Sequence, residues 1–364
     1  MRLAVPFDAA RLETKGESVP VVEGVRRAIA GTVGAQGNPL LTGTAQFSTS
    51  PAGSLMYLPG PASPMGESHD LALVDRAGVV ERLNLPGAAY SHTRISPDGT
   101  WLAFGIDDGK EANVYVYRLK GGMSAQRVTF GGRNRFPIWT ADSRRIVFQS
   151  DRNGDRGIYW EPVEGGAADR LTTAEEGTTH VPESWAPGGD HLLYTIGKDA
   201  RITLWDLSVR DRTSTRFDEV SSPNMIGSSF SPDGKWVAFS ADNTVYVQSF
   251  PPGAAKYQMP GAPGAHHPFW SRDGRELFYE PTINQLSVVQ VQLQPGVTFG
   301  KPVALPSGIF GSTNPAFARN RDIDVDGKRF ITPVTASGSG SDLSGEIHVV
   351  LNWFEELKAR VPTK

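Results

Sequence analysis

Cysteine is absent from the 364 residues. That excludes a thiol nucleophile, a thiolate zinc site and disulfides, and it fits cytoplasm and periplasm alike. No apolar run approaches the ~20 residues of a membrane-spanning helix. Charge is nearly balanced, with 36 Lys and Arg against 39 Asp and Glu and a net charge of -3. Nothing in that balance draws the chain to nucleic acid or anionic lipid. The opening stretch MRLAVPFDAA lacks the apolar core of a signal peptide. Leu3, Val5 and Phe7 alternate there instead, as in a strand. No Gly-x-Ser-x-Gly elbow, phosphate loop, dinucleotide fingerprint or His-Glu-x-x-His motif occurs.

Glycine and proline are what the chain has in excess. There are 40 and 27 of them, above the ~12% combined share of an average protein, and they punctuate a repeat. The phrase SPDGTWLAF at Ser96 returns as SPDGKWVAF at Ser231. Looser copies are FSTSPAGSLMYL from Phe47, IWTADSRRIVFQ from Ile138, SWAPGGDHLLYT from Ser184, FWSRDGRELFYE from Phe269 and IDVDGKRFITP from Ile323. Their turn markers are Gly53, Gly99, Ser143, Gly189, Gly234, Gly274 and Gly327, at steps of 46, 44, 46, 45, 40 and 53 residues. Within each copy an apolar strand meets the turn, an alternating strand follows, and two more strands come after it, as in NVYVYRL from Asn113 and QRVTF from Gln126. Four short antiparallel strands at a ~45-residue period describe one propeller blade.

The segments SPDGTWLAF, NVYVYRLKGG and IVFQSDRNGDRGIYWEPVEGGAADRLT resemble the TolB-type, WD-like β-propeller repeat, and the resemblance spans almost the whole chain. The end segments LAVPFDAARLETKGESVPVVEGV and NWFEELKARVP are similar to extracytoplasmic propellers fused to bacterial Ser/Thr protein kinases. No kinase motif is present. The expectation is therefore an all-β, seven-bladed propeller over residues 1–364, with six blades as the alternative, the ring being closed by N- and C-terminal strands. A helix over 352–361, capped by Asn352 with Glu355 in a capping box, is expected on the rim. The start in mid-repeat is compatible with a chain that continues upstream.

Function is sought at the lead-in to each inner strand, where the copies differ. His92 and His267 stand seven residues ahead of their turn markers, His266 eight and His180 nine. Gln46, Asn134, Arg135, Glu183, Asn224 and Asn314 hold similar places. Together they make the candidate lining of a central funnel. The primary reading is a non-enzymatic binding or scaffold propeller for a protein, peptide or small ligand, monomeric, without cofactor, and periplasmic or extracytoplasmic as the resemblance implies. The alternative is a propeller hydrolase or polysaccharide lyase that scatters its catalytic groups one per blade. His92, His180, His267, Arg135 and Glu183 would then be the working set, with His92, His180 and His267 as candidate ligands of a divalent metal. DRNGD at Asp151 departs from a calcium loop at Arg156 and Pro162 and reads as a hairpin turn. His191, beside Asp190, is expected to face solvent.

Overall fold

A computed structural model describes residues 2–361 apart from 9, 23–24, 26, 34–38, 60–67, 108–110, 254, 261–263, 283–284, 307–314, 316 and 337–346. The chain divides into two compact units. The larger comprises Gly31–Pro39 and Ser68–Ala336; the smaller comprises Met1–Ala30, Leu40–Glu67 and Ser337–Lys364.

The larger unit is a ring of antiparallel sheets. Five are built from consecutive strands, beginning with Tyr90–Ile95, Asn134–Trp139, Thr179–Trp185, Ser229–Phe230 and His266–Trp270. The sixth joins Asp322–Ile323 and Arg329–Thr335 to His69–Asp75 and Val80–Arg82. Here Arg329–Thr335 pairs His69–Asp75 over seven residues, from Arg329↔Asp75 to Thr335↔His69. Closure by distant chain segments covers both sheet edges that an open arc would expose. Among the described residues this unit therefore holds six four-stranded sheets, one of them with an extra short strand, Val303–Ala304.

The alternation of the second strands explains the packing. In Trp101–Asp107, Leu102 and Phe104 pack with Leu71, Leu73 and Ile331 of the closing sheet. Ala103, on the opposite face, packs with Trp139, Ile146 and Phe148 of the next sheet. A period of two thus feeds two interfaces at once, and each sheet is buried on both faces.

The repeated phrase is an architectural turn. Ser96 Oγ donates to Asp98 Oδ1 at 2.5 Å and accepts the Trp101 N–H at 2.9 Å, while Asp98 Oδ1 accepts the Thr100 N–H. Ser231 with Asp233 and Ser271 with Asp273 repeat the arrangement. The marker glycine holds φ +72° at Gly99 and +69° at Gly234, a region costly for residues with a Cβ. Ser143, the one non-glycine marker, sits at φ +60°.

The smaller unit contains the first copy of the phrase. Phe47–Thr49 and Leu55–Tyr57 form a hairpin, and His348–Val350 supplies its third strand. The first and last hairpins thus take their third strands from opposite ends of the chain. The helix, Trp353–Arg360, buries Trp353 with Val21, Leu55 and Val361. The expected capping box does not form. Asn352 is left-handed (φ 57°, ψ 31°) and its side chain makes no cap bond. The Trp353 N–H bonds to Gly53 O, and Asn352 O accepts the Glu355 N–H.

Candidate functional site

Four of the six inner strands of the larger unit carry a bulge. Counted from the turn marker, the seventh residue upstream is His92, Phe136, Pro182, Gly227, His267 and Asn320 in the six sheets. Four of these, His92, Phe136, Gly227 and His267, have φ between +52° and +59°. The strand register breaks there, between Ser91 and Arg94, Arg135 and Ile138, and His266 and Phe269. Proline cannot adopt positive φ, so in the third sheet the break falls one residue later and Glu183 is the extra residue. An extra residue re-aims the backbone and its side chains. Neighbouring bulges touch: the His92 and Phe136 rings are 4.4 Å apart, and a Cβ on Gly227 would lie 3.3 Å from His267.

These bulges form a neck. Space there is only ≈ 20 Å³, bordered by His92, Phe136, Gly227, Arg94, Glu183 and Arg319, about enough for one water. Toward the Asp-Gly turns the channel widens to a cavity of ≈ 310 Å³ that draws residues from all six inner strands. Its rim is Pro97, Ala141, Pro187, Pro232 and Arg272, each two residues ahead of a turn marker. Ile95, Ile138, Trp139, Trp185, Phe230, Phe269 and Trp270 give apolar walls, and Arg94, Arg319, Glu183 and Asp322 give the charge. Trp139 and Trp270 each donate an indole N–H to the adjacent inner strand, at Arg94 O and Ser229 O, which fixes those walls.

The charged groups are rigidly held. Arg94 Nη1 donates to Thr93 O and Arg319 O at 2.8 and 3.0 Å. The Arg319 guanidinium stacks 4.4 Å over Phe269. Glu183 accepts the Ser228 N–H at 2.7 Å. Burial pushes the Glu183 carboxyl up to about 7, against the lowering effects of Ser228, Arg94 and Arg319. Burial, with Arg319 nearby, brings Arg94 down to about 9. His92 is depressed to about 3 by burial and then by Arg94 and Arg135, so its imidazole is neutral.

The remaining lead-in residues are engaged elsewhere. Asn134 donates to Gly131 O and Gly132 O and accepts from Arg152. Arg135 Nε bonds Asp107 Oδ2 at 2.7 Å. His180 Nδ1 lies 2.9 Å from Thr172 Oγ1 and borders a separate cavity with Thr203 and Trp205. Asn224 donates to Asn243 Oδ1. Gln46 is exposed in the smaller unit, and Asn314 lies outside the described residues. His191, rather than facing solvent freely, pairs with Asp206 at 2.9 Å. DRNGD closes a turn, with the Gly154 N–H on Asp151 O.

His92, His180 and His267 do not meet as one donor set. The one group with metal-like spacing among the described residues is His266, His267 and Glu280, whose ligand atoms lie within 4.8 Å of one another. It sits beside Arg321, whose Nε is 3.2 Å from Glu280 Oε1, and the pair is 1% and 0% exposed. The guanidinium supplies the positive charge that the carboxylate needs. Glu280 is held below the usual carboxylate range despite its burial, chiefly by Arg321 and next by His267.

Three cavity residues, Arg94, Arg272 and Arg319, are missing from the sequence-derived set. Arg272 was legible: it stands in SRDG where the clearest copies have SPDG.

Residues 76–242 match the family model described as PD40, TolB beta propeller domain. The chain is similar to the uncharacterized peptidase YuxL of Bacillus subtilis, 27% identical over 53% of this chain and 29% of that protein. It is also similar to the uncharacterized protein Atu1656 of Agrobacterium fabrum, 30% identical over 46% of this chain and 57% of that one. The matched region thus spans well under two thirds of either relative. Among solved structures, a putative TolB from Agrobacterium tumefaciens superposes with a TM-score of 0.57 at 18% identity, covering 75% of this chain and 99% of that one. An oligogalacturonate lyase in complex with manganese superposes at 0.50 and 13% identity, covering 83% of each. The repeat and the closed array of four-stranded sheets make the fold a β-propeller, and residues 76–242 are similar to the TolB-type propeller domain.

Proposed function

We propose that this chain is a recognition module whose working surface is the central cavity and its rim, engaging a small ligand or a peptide or protein segment without chemically changing it. The observation that carries the reading is the ≈ 310 Å³ cavity itself, pre-formed at the centre of the six sheets with fixed polar groups set in apolar walls, as ligand sites are. An extracytoplasmic setting belongs to the same proposal, and no helix among the described residues is long and apolar enough to cross a membrane.

The test is a fragment screen by ligand-observed NMR on the full chain, repeated on Ala141→Trp, which fills the rim. Fragments that bind the wild type and are lost in the variant, at unchanged melting temperature, support the reading. Fragments indifferent to Ala141→Trp count against it.

One observation favours the enzymatic alternative. Glu183, near 7, sits in the same cavity as Arg94 and Arg319, and a carboxyl titrating near neutrality suits general acid–base work. The named activity of the manganese-bound neighbour makes uronate polymers the first substrate to try. Turnover abolished by Glu183→Gln would replace the recognition reading with catalysis.

A further inference from the structure

We propose that the central cavity binds a monoanionic carboxylate carried on an apolar body, with the guanidinium groups of Arg94, Arg272 and Arg319 receiving the charge. The inference rests on the recognition reading and names the ligand chemistry of that same cavity. All three side chains line it. Each keeps a buried nitrogen with no hydrogen-bond partner among the described residues: Arg94 Nε, Arg272 Nε and Arg319 Nη1. A buried donor left unmet costs about 1–3 kcal/mol, more when charged, so an incoming acceptor is favoured at each.

The carboxylates in the lining are already engaged. Glu183 accepts the Ser228 N–H, and Asp322 accepts the Ile95 N–H at 2.9 Å. Asp322 Oδ1 approaches Arg319 Nη1 only to 3.8 Å. Above pH 7, where Glu183 is ionised, three guanidinium groups against two carboxylates leave one positive charge in excess, which a single anionic group balances. A dianion such as phosphate would set a second negative charge beside Glu183 and Asp322, where low dielectric magnifies the repulsion. Planar carboxylates also match the guanidinium fork.

The body of the ligand follows from the walls. Of the five rim residues Arg272 alone is charged, set among three prolines and Ala141. A ligand crossing this rim meets apolar contact with Arg272 at one side, and Arg94 and Arg319 beneath. The volume stands at the lower end of small-molecule sites, roughly 300–1,000 Å³, so the occupant is a single aromatic or branched acid, or the last residue of a peptide with its free α-carboxylate.

Calorimetric titration of the full chain at pH 8 and low salt, where Glu183 is ionised and Arg94 still charged, tests this with 4-phenylbutyrate, 4-phenylbutan-1-ol, inorganic phosphate, and the peptide acetyl-Ala-Ala-Phe as free acid and as amide. At least one carboxylate should bind about tenfold or more tighter than the alcohol and the phosphate, a difference of ~1.4 kcal/mol. Arg272→Gln should remove about that factor, its half-buried rim position leaving the thermal melt unchanged. Binding of the peptide acid but not the amide assigns a chain terminus, and binding of phenylbutyrate without the peptide assigns a small acid. Phosphate binding as tightly as the carboxylates overturns the inference, as does full affinity in both Arg272→Gln and Arg319→Gln. If uncharged fragments bind in a way that Ala141→Trp abolishes while no carboxylate does, the carboxylate inference falls and the recognition reading stands. If no probe or fragment is sensitive to Ala141→Trp, both fall.

Discussion

Gly131 and Gly132 share a left-handed backbone, φ +72° and +68°, but not a neighbourhood. A Cβ on Gly131 would meet nothing within 4 Å, whereas one on Gly132 would lie 2.9 Å from the Arg152 backbone N and Cα. Gly131→Ala should therefore cost only the left-handed penalty, about 1–2 kcal/mol. Gly132→Ala should cost a further ~1–3 kcal/mol, because backbone does not yield as a side chain does. Urea denaturation of the two variants checks the ordering. Buried titratable groups give the pH counterpart. His92 and His180 are depressed to about 3 and about 4, mainly by burial. Their neutral forms stabilise the fold fully above the unfolded value of ~6.5, and this is lost as pH falls toward the folded values, up to about 4 kcal/mol for His92. Glu183 runs the other way. Its folded value near 7 exceeds the ordinary 4.5, so the protonated form is favoured and stability falls as pH climbs from about 4.5 to 7, by roughly 3 kcal/mol. Melting temperatures across pH 3–9 should show His92→Asn flattening the acid limb and Glu183→Gln flattening the decline toward neutrality. Unchanged limbs in both would remove these residues as the cause.

At the scale of the element, the turn and its two strands were fully legible, because Ser, Asp and Gly act within five residues of one another. The inner-strand bulge was visible only as a place where copies differ, since its partners lie in adjoining sheets. Asn134 and Arg135 looked available in sequence, yet Gly131 O, Gly132 O and Asp107 take them up. Arg94 stands where other copies carry Ile138, Ser184, Ser229 or Phe269, and Asp322 takes the same place in the last copy; these two charged exceptions signal the cavity. Glu280 illustrates how a buried element depends on such pairing. Its carboxylate faces Arg321 at 3.2 Å with both nearly solvent-free. Glu280→Gln takes the paired carboxylate from the buried Arg321 guanidinium and should cost about 3–5 kcal/mol. Glu280→Gln with Arg321→Met should recover much of it, which a double-mutant cycle by thermal or urea unfolding measures. A double variant no better than the single would mean that the pair is not the source of the loss.

At the scale of the molecule, seven turn phrases did not reveal which strands complete which sheet. HDLALVD from His69 and EIHVVLNW from Glu346 both alternate as third strands, and local pattern cannot choose between two hairpins far away in the chain. The structure pairs His69–Asp75 with Arg329–Thr335 and gives His348–Val350 to Leu55–Tyr57. That exchange makes the larger unit complete within residues 68–336. Leu71, Ala72, Leu73 and Val74 are at most 7% exposed, divided between the interfaces with Phe330 and Phe269 on one side and with Leu102 and Phe104 on the other. Burying two leucines and a valine contributes about 5 kcal/mol or more, comparable to the whole stability of an ordinary domain, about 5–15 kcal/mol. A fragment of residues 68–336 should therefore fold cooperatively with a melting temperature near that of the full chain, whereas 83–336, lacking the two closing strands, should not. Circular dichroism melts and amide-exchange protection of the Arg329–Thr335 strand decide the matter. Protection there without residues 69–82 would mean that another strand can close the ring, and the exchange of third strands would lose its structural force.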